Sequence, residues 1–452
     1  MCINSFTQGL EPILVRGSCS FDVMCCNYGS SGMRENNQNT QSASYPLERH
    51  DAEYCVMVLA GEASGDALAA GLIQAIQQRM HEGRAICFWG AGGQSMAAAG
   101  VEVLIDFTRH GVFGLVEVLR HYFQFRRWLR QLVKEALKRK PQVVVLTDYA
   151  GFNLRFAKAL RHAIKRSGSA WSPRIIYYVS PQVWASRASR VFTLQNHVDC
   201  LLSLFPFEKA WYRLRAPGFR VEYVGDPMRD RYQSCFRAQG RILSDRPCLV
   251  LLPGSREGEL KRHLPLMSQA MVGIEREAGK VRFIMVLSSQ RHVELAKALM
   301  GHPENLTFQV GSLSDALAQA DLAIACSGTV TRECAYHGVP TVVFYRLAWL
   351  TYQVARLIVQ VKYISMANLM LGREVFPELI QGHATPKRMV DKVVVWLRSS
   401  SQRQAAHDAL ADLMLKASPE QAFDRAAQVI WEYLSPPPGP QPPSEIESSG
   451  VG

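Results

Sequence analysis

Short, near-continuous apolar runs alternate along this chain with longer stretches of helical period, and no other feature restricts its fold as strongly. The runs are Val56–Leu59, Val143–Leu146, Ile175–Val179, Pro247–Leu252, Phe283–Leu287, Leu322–Ala325 and Thr341–Phe344. A strand that is apolar at every position needs cover on both faces. Strands of that kind alternating with helices build parallel sheets with helices on either side. The order strand, glycine turn, helix opens near residue 55 and again near residue 248. It predicts an α/β fold of two doubly wound, Rossmann-like halves facing a central cleft. Ligands of such sheets bind beyond the carboxyl ends of the strands.

The 452 residues suffice for two large domains. Residues 1–52 are rich in Asn, Ser, Gly and Gln and carry no period, and they are expected to be a disordered extension. Residues 53–226 and 227–400 form the two expected domains. Residues 401–435 are expected to be helices packing back on the first domain, and 436–452 a disordered Pro-rich tail.

Lys and Arg number 51 against 39 Asp and Glu, a net +12, which points to an anionic partner or, more plainly, to a solvated basic surface. Much of the excess lies in one segment. Leu115, Val118, Leu119, Tyr122, Phe125, Leu129, Leu132 and Ala136 recur at spacings of three and four. Arg120, Arg126, Arg127, Arg130, Lys134, Lys138, Arg139 and Lys140 surround them, against Glu135 alone in residues 120–140. With Trp128 added, the segment reads as a basic amphipathic helix lying on a membrane. The alternative is a packed helix with a charged outer face. No nucleic-acid motif accompanies the charge, so no nucleic-acid partner is expected. No apolar run is long enough to span a bilayer, and no signal peptide is expected. The 11 cysteines show no C-x-x-C pairing, and several sit in apolar runs as buried thiols do. A reducing, cytoplasmic compartment fits.

Pro253-Gly254-Ser255-Arg256 follows a strand and precedes a helix. Gly254 allows close backbone approach, Ser255 can cap the helix, and the helix N-terminus suits phosphate. Arg256 adds a forked cation. Ser327-Gly328-Thr329 repeats the pattern after Leu322–Ala325, with Glu333 one helical turn inside, where a carboxylate can accept ribose hydroxyls. Either turn alone could be an ordinary capped βα connection. Two in one half point to a nucleotide diphosphate. Gly61-Glu62-Ala63-Ser64-Gly65-Asp66 and Gly90-Ala91-Gly92-Gly93 are the glycine turns of the first half. Asp148 ends the strand Val143–Leu146, and it reads either as a general base or as a helix cap.

These residues resemble lipid-A-disaccharide synthases. The matching segments are Ala60–Asp66, Gly114–Leu119, Tyr178–Ala185, Phe205–Lys209, Leu252–Arg256, Ser327–Thr329, Asn368-Leu369 and Gly372–Glu374, and they run in the family's order. The resemblance implies a GT-B fold and an inverting glycosyltransferase. That enzyme would join UDP-2,3-diacylglucosamine to 2,3-diacylglucosamine 1-phosphate and release UDP. It implies Asp148 as the essential aspartate, and UDP contacts at Gly254, Ser255, Arg256, Ser327, Gly328, Thr329 and Glu333. It implies acceptor or substrate contacts at Gly61, Glu62, Ser64, Gly65, Asp66, Ser180 and Asn368. Acylated substrates imply contact with the inner-membrane surface, with Leu115, Val118, Leu119, Tyr122, Phe125, Arg126, Arg127, Trp128 and Arg130 as the membrane face. No Asp-x-Asp pair stands at a strand end, so no metal is required, and no cofactor is expected.

Three departures stand out. Asp148-Tyr149-Ala150-Gly151-Phe152-Asn153 lacks the family's second acid at Gly151. Ser186 replaces a tryptophan, and Asp226 replaces a histidine in Gly225-Asp226-Pro227-Met228. Another GT-B UDP-sugar transferase, a UDP-sugar epimerase and a non-catalytic membrane-associated UDP-sugar binder are the competing readings.

Overall fold

The computed structural model describes residues 53–80, 85–108, 115–237, 243–417 and 421–434. The expected extension 1–52 and tail 436–452 lie outside the described residues. Within them the chain forms two parallel sheets with alternating helices, the GT-B architecture. The first sheet contains β1 (Tyr54–Ala60), β2 (Ile86–Gly92), β3 (Glu102–Asp106), β4 (Val143–Thr147), β5 (Arg174–Tyr178), β6 (Cys200–Ser203) and β7 (Arg220–Tyr223). The second contains β8 (Cys248–Leu252), β9 (Arg282–Leu287), β10 (Leu306–Val310), β11 (Leu322–Cys326), β12 (Thr341–Tyr345) and β13 (Glu378–Ile380).

The strand orders are β3-β2-β1-β4-β5-β6-β7 and β10-β9-β8-β11-β12-β13, parallel throughout. Every residue of β4, β8, β11 and β12 is buried, as continuous apolar runs covered on both faces must be. Strand order reverses between β1 and β4, and again between β8 and β11. The connections leave in opposite directions at those two points. Each opens a crevice at the carboxyl ends of its strands.

Two local expectations are corrected. Gly90-Ala91-Gly92 lies inside β2, and only Gly93 follows it. A side chain at Gly90 would put its Cβ 1.9 Å from the Val58 carbonyl oxygen, and the pairing with β3 shifts register between Gly90 and Ala91. The glycine therefore answers a close approach within the sheet. Val179 is not the last residue of β5; it turns out of the strand at φ 68°, a costly conformation for a β-branched residue.

The last helices divide between the halves. Ser400–Lys416 packs against Thr329–Tyr336 and Met366–Leu371 of the second half, which corrects the expectation that all of 401–435 returns to the first. Ala422–Leu434 lies on the first-half helix Ala63–Gln78. The Phe423 ring fills the space above Gly71, where a Cβ would meet it at 2.4 Å. Arg79 donates to both Asp424 oxygens at 2.7 and 2.6 Å, and Trp431 Nε1 donates to the Ile76 carbonyl at 3.1 Å. Ala426, Ala427 and Ile430, all fully buried, form the apolar stripe between them. Ile430→Ala leaves a cavity in that seam and should lower the unfolding free energy by about 2–4 kcal/mol, read from urea unfolding followed by circular dichroism.

Candidate functional site

The crevice between β1 and β4 is closed by two turns in contact. A Cβ on Gly61 would stand 2.0 Å from the Tyr149 ring, and one on Gly65 would stand 3.7 Å from the Asp148 Cβ. The glycine at 61 is required by the ring above it. Asp148 and Tyr149 both adopt φ 47°, and residues held in this region cluster at functional sites. The strain is borne by specific bonds. Asp148 N donates to the Tyr178 carbonyl at 3.0 Å, and the Tyr177 hydroxyl donates to the Asp148 carbonyl at 2.5 Å. Asn153 Nδ2 donates to the Thr147 and Asp148 carbonyls at 3.1 and 2.8 Å. The half-buried Asp148 side chain thus ends β4 beside the start of helix Ala63–Gln78. Glu62 caps that helix by backbone position, without a side-chain bond to the first turn.

The second crevice, between β8 and β11, has the same construction. Gly254 is at φ 117°, and a Cβ there would approach Glu259 Oε2 at 2.6 Å and Cys326 Sγ at 3.4 Å, so the two turns touch. His263 Nδ1 contacts the Pro253 carbonyl at 2.7 Å and holds the turn from below. Burial keeps this imidazole's pKa below its usual value. The N-cap of helix Glu257–Ala278 is Arg256, in extended conformation, which corrects the expected cap at Ser255. Gly328 is the N-cap of Thr329–Tyr336. Neither helix start has a side-chain cap, so main-chain N–H groups and helix dipoles carry the positive character of these turns. Arg256 is 44% exposed, with Glu259 at 3.8 Å.

Glu333 lies in the helix that follows. Tyr232 donates to its Oε2 at 2.9 Å. Burial raises its carboxyl pKa, against the pull of Tyr232, Arg332 and Arg231. The carboxyl edges of the two sheets meet close by. Arg332 stacks over Phe205, just beyond β6, at 5.4 Å. Arg332 Nη1 and the Tyr336 hydroxyl both donate to Asp226 Oδ2 at 2.9 Å, and Met228 N donates to Oδ1 at 3.1 Å. Asp226 is 1% exposed. Tyr232, Arg332 and Tyr336 went unnoticed in the sequence because nothing local marks them.

A third cluster lies beyond β5 and β6. The Ser180 hydroxyl is 3.1 Å from that of Tyr212. Trp184 Nε1 and Phe205 N donate to the fully buried Glu208 at 3.0 and 3.1 Å. Burial pushes the Glu208 carboxyl up to about 7.

Several expected ligand contacts are corrected. Asp66 is 3% exposed, and its carboxylate accepts from Gly93 N, Ser95 N and Met96 N at 2.6–3.2 Å, so it anchors the turn after β2. Asn368 is fully buried with all its bonds made inside the protein. Its amide donates to the Phe376 carbonyl and Glu378, and its oxygen accepts from Val375 N and Phe376 N. Phe125 and Trp128 face inward, their rings 5.5 Å apart, against Phe107, Tyr149 and Phe152. The outer face of helix Leu115–Arg139 instead shows Phe123, 80% exposed, and a hollow of about 340 Å³ lined by Phe123, Arg126, Arg127 and Arg130. The side chains of Leu115, Val118, Leu119 and Tyr122 lie outside the described residues.

Residues 56–430 match the family model described as lipid-A-disaccharide synthetase. The lipid-A-disaccharide synthase of Myxococcus xanthus is 36% identical over 84% of this chain and 98% of its own length. That of Geobacter sulfurreducens is 33% identical over 84% and 97%. This chain belongs to the lipid-A-disaccharide synthase family. Solved structures share the fold at much lower identity. A putative UDP-N-acetylglucosamine 2-epimerase from Listeria monocytogenes matches with TM-score 0.54 at 14% identity, covering 84% of this chain and 95% of that one. The UDP-GlcNAc 2-epimerase of Neisseria meningitidis matches at 0.53 and 10%, covering 84% and 99%.

Within this family member the departure at Asp226 has a structural account: the carboxylate joins the two halves through Arg332 and Tyr336. Arg332→Met leaves a buried carboxylate without its cationic partner and should cost about 3 kcal/mol, measured by urea unfolding.

Glu208 sets a pH dependence of the opposite sign to that of an ion-paired acid. With its folded pKa raised to about 7 from 4.5, the native state holds a proton that the unfolded state has lost between those values. Stability therefore falls as pH rises through that window, by on the order of 3 kcal/mol. The stability of the natural protein relative to Glu208→Gln should fall from pH 5 to pH 8 in thermal unfolding.

Proposed function

We propose that Asp148 is the general base of an inverting, metal-independent sugar transfer whose nucleotide sits in the β8/β11 crevice. The family's reaction joins UDP-2,3-diacylglucosamine to 2,3-diacylglucosamine 1-phosphate and yields a β-1,6-linked disaccharide 1-phosphate and UDP. In this reading the acceptor's 6-hydroxyl attacks the anomeric carbon of the donor. The bond from that carbon to the UDP oxygen breaks, and Asp148 takes the hydroxyl proton. Charge developing on UDP is met by Arg256 and by the N–H groups of the turns at Gly254-Ser255 and Ser327-Gly328-Thr329. Glu333 accepts the ribose hydroxyls. Gly61, Glu62, Ser64, Gly65 and Ser180 border the acceptor.

The observation that carries this reading is the meeting of the two carboxyl edges through Asp226, Arg332 and Phe205. It supports a common cleft for the β4 turn and the nucleotide turns.

Both substrates carry acyl chains and have to be reached at a bilayer. Among the described residues no helix is long and apolar enough to cross a membrane. We assign bilayer contact, at the cytoplasmic face of the inner membrane, to the hollow of Phe123, Arg126, Arg127 and Arg130. An exposed aromatic ringed by cations suits anionic head groups.

Asp148→Asn preserves the size of the side chain and removes the base. UDP release with both acylated sugars should fall by at least about 100-fold, with an unchanged melting temperature. Turnover at the natural rate removes Asp148 from the chemistry, and UDP release without the acylated acceptor redirects the assignment to a different UDP-sugar enzyme.

A further inference from the structure

A second surface shares the chemistry of the Phe123 hollow and lies on the other half of the molecule. No carboxylate occurs between Glu333 and Glu374, whereas Arg346, Arg356, Lys362 and Arg373 do. Within that stretch lies the helix Trp349–Ile358. Trp349 is 66% exposed and Leu357 86%, and Val359 just beyond the helix is 44% exposed. Among the helix's described side chains none is buried. A ten-residue helix is too short to persist on backbone propensity alone and takes its stability from whatever covers its apolar face.

The helix is tied down at both ends. Leu347 N donates to Gln381 Oε1 at 3.0 Å, and Gln381 Nε2 donates back to the Leu347 carbonyl at 3.2 Å. Past the other end, Gln360 N donates to the Ala185 carbonyl at 2.9 Å. Ala185 belongs to the short helix Val183–Ser186 that follows the Ser180 turn of the first sheet. The segment therefore bridges the two halves at the rim of the cleft. Its cations lie against aromatic rings, Arg356 over Tyr352 at 5.9 Å and Lys362 over Tyr363 at 5.0 Å. Exposed Trp and Leu beside Arg and Lys, without acids, is the composition of a helix lying in a lipid interface.

We propose that Trp349–Lys362 is a second bilayer contact, seated on anionic phospholipid, so that both halves of the cleft engage the membrane from which the acylated sugars come. A second copy of the chain is the less suitable occupant. A two-fold interface would set this segment, which carries cations and no acid of its own, against itself, whereas anionic head groups are complementary to it. The inference rests on the reading that the enzyme works at a bilayer.

The test is co-sedimentation of the full chain with vesicles of phosphatidylglycerol and phosphatidylethanolamine, and with vesicles of phosphatidylcholine alone. Trp349→Ser combined with Leu357→Ser should lower partition into the anionic vesicles by about tenfold or more, with unchanged circular dichroism. Arg356→Gln combined with Lys362→Gln should weaken binding to the anionic vesicles alone and flatten its salt dependence. Both variants should turn over detergent-dispersed substrates at the natural rate and vesicle-borne substrates more slowly. If Phe123→Ser abolishes binding while both variants at this segment bind as the natural protein does, the proposal is overturned and the bilayer reading stands. Natural protein that binds no vesicles overturns both. A changed mass in light scattering with unchanged vesicle binding assigns the face to a second copy and likewise overturns the proposal.

Discussion

A buried carboxylate couples the two sheets. Asp226, 1% exposed, leaves the end of the first sheet and accepts from a guanidinium and a phenol on the helix that follows β11. Taking a carboxylate out of water is costly unless charge and hydrogen bonds replace the lost hydration, and Arg332, Tyr336 and Met228 N do so here. Burial and the Asp226 carboxylate hold the Tyr336 phenol protonated, with its pKa well above the ordinary value. The same turn starts helix Pro227–Tyr232, whose last residue grips Glu333. Position at the β8/β11 crevice is thus set from the opposite half of the molecule.

The first crevice rests on strain held by packing. Asp148, Tyr149 and Val179 all adopt left-handed conformations at the ends of adjacent strands, at about 1–3 kcal/mol each. Asn153 and Tyr177 bind the carbonyls of the first turn. The rings of Phe107, Phe125 and Phe152 surround Tyr149. Phe125, an aromatic of the basic helix, therefore supports the turn that carries Asp148. Phe123, two residues earlier, points outward, because neighbours at that spacing on a helix face different ways.

Much of the site could be read from local pattern. The apolar runs located the central strands of both sheets, and the glycine-rich turns after β1, β8 and β11 stand where the strand order reverses. Asp66 and Asn368 bond to the protein's own backbone, and in sequence a short polar side chain looks the same whether it binds a ligand or that backbone. Only the partners distinguish the two cases, and those lie 27–30 residues away in sequence for Asp66 and 7–10 for Asn368. Glu208 stood in a recognised segment, Phe205–Lys209, yet nothing there discloses a carboxyl with a pKa near neutrality. That property comes from complete burial beneath Trp184 and the Ser180 turn.

The sequence by itself determined the two parallel sheets, the crevices at their switch points and the family, since each follows from residue type at short spacing. Tertiary structure decided which side chains serve the fold and how the halves are joined. Those outcomes depend on burial and on partners distant in the chain, such as the 106 residues between Asp226 and Arg332, and no local pattern encodes them.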